Sequence, residues 1–235
     1  MAAAQRDGDT GAEGWARIAL GYHLLYFGTV SDAARELKRA QRCFERGDDR
    51  AGHILASAAL ARSMWREGRV REALAAVLPL RDEGVQVLRH EQRGVLLNTI
   101  AGCYSALGDS AQAFAHMFEA LRDAGPKRGR GFDTVLHCNL SHELMQIGDY
   151  EHALQHVDQG LAGCTQLRND RLLGILLINR VICLTELGRA AEARPDVAAV
   201  LAMPTDASGR GSIEPAFEAL AISALRAGDL ARGAE

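Results

Sequence analysis

Lysine is nearly missing from this chain of 235 residues: Lys38 and Lys127 are the only two among 27 basic residues, the rest being arginine. Such a bias reflects the base composition of a genome more than a binding function. The five cysteines, Cys43, Cys103, Cys138, Cys164 and Cys183, are odd in number, scattered and free of any Cys-x-x-Cys pair. That pattern points to reduced thiols in a cytoplasmic protein and speaks against structural zinc or any other metal site. Long apolar runs are missing as well. Met1 to Gly14 has no hydrophobic stretch, and the most apolar segment, Leu172 to Leu184, is interrupted by Asn179 and Arg180, so neither a signal peptide nor a membrane span is expected. Charge of one sign is lacking too: 27 basic residues stand against 30 acidic ones, a net charge of −3. No bulk field draws the chain toward nucleic acid or an anionic membrane. Phosphate-cradling Gly-x-x-x-x-Gly-Lys-Ser/Thr, dinucleotide-type Gly-x-Gly-x-x-Gly and nucleophile-bearing Gly-x-Ser-x-Gly motifs do not occur, so neither catalysis nor a cofactor is expected. What the chain does have is 48% hydrophobic residues, enough for a sizeable core and incompatible with disorder or a collagen-like or disulfide-stapled fold.

It also has a repeat. Glycine recurs at Gly28, Gly68, Gly108, Gly148, Gly188 and Gly228, at intervals of forty residues. Five residues after each stands Ala33, Ala73, Ala113, Ala153, Ala193 and then Gly233; nine after, Leu37, Val77, Met117, Val157 and Val197. Eight before stands Leu20, Leu60, Ile100, Leu140, Arg180 and Leu220; four before, Leu24, Met64, Tyr104, Leu144, Leu184 and Ala224. Two pairs of columns four apart, on either side of a glycine, describe two amphipathic helices joined by a tight turn. Glycine supplies the left-handed conformation that ends a helix, and a small residue lets the helices approach closely. Forty residues leave helices of about 14 to 18 residues, and neither can bury its apolar face alone, so successive hairpins must stack. Pro195 falls in the first turns of its helix, where a missing donor costs little. Pro79 falls about ten residues into a second helix and predicts a bend there, while Gly160 predicts a weak spot inside another.

The pairs Leu20-Gly21, Leu60-Ala61, Ile100-Ala101 and Leu140-Ser141, followed by the glycine and alanine columns, resemble the tetratricopeptide repeat (TPR) over about residues 14 to 235. The resemblance departs from that family in its forty-residue period, in a closing proline kept only as Pro126, and in Arg17, Ser57, Leu97, His137 and Leu177 where an early tryptophan is usual. Longer units of this kind are similar to those of kinesin light chains, bacterial peptide receptors, large bacterial transcription activators and the sensory regions ahead of GGDEF-type diguanylate cyclases. The resemblance implies an all-α, right-handed superhelical solenoid of TPR-like hairpins: a disordered tail over 1–13, then over 14–235 five complete repeats and an incomplete sixth.

In such solenoids the first helix of each pair lines a groove. Columns ten, nine, six, three and two residues before each glycine place Tyr22, Leu25, Tyr26, Arg62, Trp65, Arg66, Asn98, Asn139, His142, Met145, Gln146, Asn179 and Glu186 there. Asn98, Asn139 and Asn179 form a row, which the resemblance connects with holding a peptide backbone; the alternative is that they bond neighbouring helices and stabilise stacking. Arg62 and Arg66 can grip an acidic group beside Trp65. The basic pair of chaperone-binding repeats is missing, so an acidic chaperone tail is not the expected ligand. Cys138 and His142, four apart, allow a thiolate–imidazole pair, and His152 and His156 a shared ligand position without a third ligand. The basic loop Pro126 to Gly131 reads as a solvated connector.

The sequence thus predicts a bacterial, cytoplasmic, regulatory scaffold that binds a protein or peptide in its groove, and not nucleic acid or membrane. The alternative is the sensory or dimerising region of a diguanylate-cyclase-type signalling enzyme. Phe217, Leu220 and Ile222 lack a complete covering helix, which predicts either self-association through that end or, in a longer native chain, further helices leading into an effector domain.

Overall fold

The computed structural model describes residues 9–123, 131–167, 170–203, 217–218 and 220–221. Regular structure among the described residues is entirely helical, and no described helix is long and apolar enough to cross a membrane. The chain forms two compact units, Met1–Lys127 and Arg128–Glu235.

The first unit holds α1 (Thr10–Phe27), α2 (Val30–Arg46), α3 (Arg50–Arg66), α4 (Val70–Val77), α5 (Arg81–Val87), α6 (His90–Ala106) and α7 (Ser110–Asp123). The second holds α8 (Phe132–Gln146), α9 (Tyr150–Leu167), α10 (Asp170–Glu186) and α11 (Arg194–Leu201). In the first unit α1 packs beside α3 and α3 beside α6, while α2 and α7 pack on the first helix of their own hairpin. In the second, α8 and α10 lie side by side and α9 packs on both.

The glycine column ends helices as its chemistry predicts. Gly68, Gly108, Gly148 and Gly188 have φ between 74° and 80°, where a side chain would be strained. Gly28 is the exception: its φ is −128°, and its N–H simply closes α1 on the Leu24 carbonyl at 2.9 Å. The next residue starts the following helix. Thr29 and Asp109 accept the backbone N–H of Asp32 and Gln112, both at 3.1 Å, and so satisfy a donor that helix geometry orphans. Asp9 does the same for α1 at 2.9 Å from Ala12, so the helix begins at Thr10, inside the segment expected to be a tail over 1–13.

The alanine column is wholly buried at Ala33, Ala73, Ala113, Ala153 and Ala193. Its partner column holds at Leu37, Val77, Met117 and Val157, but in the fifth hairpin Val200 is buried and Val197 only half-buried. The cause is local: the second helix of that hairpin opens with a 3-10 turn over Ala190–Ala193, and its α-helical part starts at Pro195's own turn. A tighter turn rotates the face that follows. Pro79 acts as expected. It sits in a 3-10 turn, Leu78–Leu80, that breaks the second helix of its hairpin into α4 and α5.

Gly160 is a point of close helix approach. It is buried against α10, where an added Cβ would stand 2.8 Å from Leu176, so the helices touch because no side chain intervenes. Gly14 works likewise with Phe44, the largest fully buried side chain of the first unit, whose ring also meets Trp15 edge-on at 5.3 Å. Along the first helices the stripe buried in all five hairpins lies 14, 11, 10 and 7 residues before the glycine, from Gly14, Arg17, Ile18 and Gly21 to Gly174, Leu177, Ile178 and Val181. The column eight before is buried at Leu60, Ile100 and Leu140 but only half-buried at Leu20 and Arg180. Of the sixth repeat, Phe217 and Leu220 are helical, with Phe217 41% exposed; Ile222, Gly228, Pro126 and most of the basic loop lie outside the described residues.

Candidate functional site

In the first unit the exposed face of the first helices carries a shallow apolar groove. Trp15, Ile18 and Tyr22 from α1, Leu55 from α3 and Val95 from α6 line it, with Glu91 and Gln92 at the rim. Of the residues expected here the groove itself contains only Tyr22. Trp15, Leu55 and Val95 stand thirteen residues before their glycines, in a column outside those expected to line the groove, and Val135 and Ile175 continue it. Five apolar residues forty apart, of which all but Leu55 remain partly exposed, are a signal the repeat itself contains.

Of the other expected residues of this unit, Leu25, Tyr26, Arg62 and Arg66 gather beyond Tyr22, at the end of α1. Arg62 donates from Nη1 to the Tyr26 hydroxyl at 3.2 Å, and the Arg66 guanidinium donates to the Leu25 carbonyl and lies 6.0 Å from the centre of the Tyr26 ring. The Arg62 Nε is buried without a hydrogen-bond partner. Burial pushes the Tyr22 hydroxyl above its ordinary pKa and Tyr26 adds to this, while the positive charge of Arg62 works against both. Tyr22 is therefore a neutral donor at physiological pH. Trp65 turns away from this cluster: it packs on the core, its ring 3.1 Å from where a Cβ on Gly102 would be. Asn98 is 2% exposed and belongs to the packed face.

In the second unit His142 and Gln146 are exposed, and Asn139, Met145 and Glu186 half-buried. Asn179 is buried and donates from Nδ2 to the Ser141 hydroxyl at 3.1 Å, tying α10 to α8; Ser141 in turn donates to the Cys138 carbonyl at 2.8 Å. The asparagines therefore do not form one open row. Asn179 sits on the seam between α8 and α10, where its side-chain amide meets the neighbouring helix before it meets solvent.

The thiol and imidazole pairs also come apart. Burial, with Cys164 close by, pushes the Cys138 thiol up to about 12, so it stays protonated, and His142 lies on the exposed face. His152 engages the Asp149 carboxylate at 2.8 Å, whereas His156 meets His137 across the hairpin, Nδ1 to Nδ1 at 2.9 Å. His152 and His156 thus point at different partners. No cluster of three or more potential metal ligands occurs among the described residues.

No protein-family model and no curated protein matches the chain. Solved structures do. The thermophilic TPR protein TTC0263 of Thermus thermophilus is 18% identical, with a TM-score of 0.58 over 90% of this chain and 99% of its own. PlcR of Bacillus thuringiensis, solved with the peptide PapR7 and DNA, is 14% identical, with a TM-score of 0.64 over 93% of this chain and 73% of its own. The STAND protein PH0952 of Pyrococcus horikoshii, which has a tetratricopeptide repeat sensor, is 17% identical, with a TM-score of 0.66 over 94% of this chain and 34% of its own. The fold is that of TPR proteins.

Proposed function

We propose that this TPR fold serves as a scaffold that binds a protein or peptide on the first-helix face of its first unit, in a bacterial regulatory setting. The observation that carries the reading is the apolar groove of Trp15, Ile18, Tyr22, Leu55 and Val95, continued toward Tyr26 and the cations of Arg62 and Arg66. Large aromatic side chains left partly exposed beside arginine are the composition from which binding hot spots are built. A segment with an apolar or aromatic side chain for the groove and a carboxylate for the arginines fits both ends. Trp15 at 40% and Tyr26 at 39% exposure are available to it without any rearrangement of the core. The similarity to PlcR, solved with a peptide bound, and to a protein with a TPR sensor favours the same class of ligand and a regulatory role. The sensor similarity is also what favours a second reading, in which this fold is the sensory region of a larger signalling protein; self-association through Phe217 and Leu220 would belong to that reading.

The test is selection of peptides from a random library on the purified chain, followed by titration with the Trp15→Ala and Arg66→Ala variants. Selected peptides should bind the first variant at least tenfold more weakly, equivalent to about 1.4 kcal/mol. Peptides that bind both variants as well as the parent would place the ligand elsewhere.

A further inference from the structure

The outer side of α2 carries a second surface that the groove does not use. Arg35, Lys38, Arg39, Arg42 and Arg46 are all exposed. At 100° per residue they fall within an arc of about 100°, opposite the buried Leu37, Ala40 and Phe44. Two of the five are neutralised within the helix, Arg35 by Asp32 and Arg39 by Glu36. The remaining three form a row four residues apart: among the described residues Lys38 and Arg42 have no carboxylate partner, and Arg46 bonds only the Arg42 carbonyl and the Cys43 sulfur. Arg42, the middle of the row, borders a cleft on each side of the helix. One lies between α1 and α2, where Glu13 and Glu45 are already engaged by Arg17 and His53; the other lies between α2 and α3 and includes Leu60, Met64 and Glu67, the last paired with Arg69.

We propose that this row is a docking surface for an acidic helix of a partner protein, whose carboxylates recur every fourth residue. A helix rises about 6 Å over four residues, so carboxylates at that spacing on a partner helix match Lys38, Arg42 and Arg46 one to one. Arginine favours the match, because its planar fork takes a carboxylate through two parallel hydrogen bonds. The lining of the flanking clefts decides against the other common polyanion. A single nucleic-acid strand is held by aromatic side chains on which its bases stack, and no aromatic residue lines either cleft. Each exposed pair is individually weak, so the association is rapid, reversible and sensitive to salt.

The experiment is fluorescence anisotropy of the full chain with two labelled alanine-based helical peptides of about 20 residues, long enough to be helical in water. One carries four glutamates spaced four apart; the other has the same composition with the glutamates five apart, which spreads them around the helix. A single-stranded DNA of matched charge is the third probe. The first peptide should bind at least tenfold more tightly than either other probe, and the Lys38→Gln, Arg42→Gln, Arg46→Gln triple variant should lose that advantage with unchanged helicity. Glutamine keeps the helix propensity of the residues it replaces. Should the triple variant misfold, the single Arg42→Gln change should still weaken the first peptide severalfold. Equal affinity for the two peptides, tighter binding of DNA, or retention of binding by the variants would overturn the proposal.

Discussion

The imidazoles of His137 and His156 face each other across the α8–α9 hairpin, Nδ1 to Nδ1 at 2.9 Å and ring centre to ring centre at 5.1 Å. The same two register positions, eleven residues before and eight after the turn glycine, hold Arg17 and Glu36 in the first hairpin, bonded at 2.5 Å. In these two hairpins the polar side chain at one position is held by the polar side chain at the other. Arg17 and His137, which stand where tryptophan is usual in the TPR family, each have a partner nineteen residues on.

The histidine pair makes stability depend on pH. Its hydrogen bond needs one Nδ1 with a proton and one with a lone pair, so at least one ring must be neutral. Burial, and then the charge of His152, hold His156 below the ordinary histidine pKa. The unfolded chain takes up that proton near pH 6.5. The contribution is therefore complete above about pH 6.5 and is lost as the pH falls through the lower, folded-state value. Urea midpoints at neutral pH and at about pH 5 should differ more for the parent than for His156→Gln; an equal loss in both would show that the pair does not contribute.

Gly14→Ala should destabilise the first unit although alanine is the better helix former. The propensity gain is about 0.5 to 1 kcal/mol, whereas a Cβ at this site stands 2.6 Å from the Phe44 ring and overpacking costs about 1 to 3 kcal/mol. Denaturant unfolding should show the loss, and adding Phe44→Leu should recover part of it. A stabilised Gly14→Ala protein would mean that the ring has room to move.

Asn179→Ala should change stability and leave peptide affinity alone. The substitution removes the bond to Ser141 at 3.1 Å, a contribution of about 1 kcal/mol. An affinity loss of tenfold or more at unchanged midpoint would instead return Asn179 to the ligand-binding face.

All five thiols should resist alkylation in the folded chain. Cys43, Cys103, Cys138, Cys164 and Cys183 are no more than 5% exposed, and burial pushes Cys103 up to about 11 and Cys183 up to about 12. Aromatic-disulfide titration should find them only after denaturation, and rapid reaction of Cys138 in the native protein would revive a reactive-thiol role.

The repeat of forty, the helical hairpins, the left-handed glycines and the break at Pro79 were legible in the sequence because they follow from local backbone chemistry. Gly68 must turn and Pro79 cannot donate, whatever surrounds them. The partners of the polar residues were not legible. Arg17, Asn179 and His156 occupy columns whose spacing says which helix face they share, but not whether that face meets solvent, a neighbouring helix or its own hairpin. Packing decided those cases: it turned Trp65 onto Gly102, tied Asn179 to Ser141, and left Trp15, Tyr22 and Val95 as the open apolar surface. Burial depends on what lies opposite, and what lies opposite is set by residues nineteen to forty positions away, beyond the reach of any helical period.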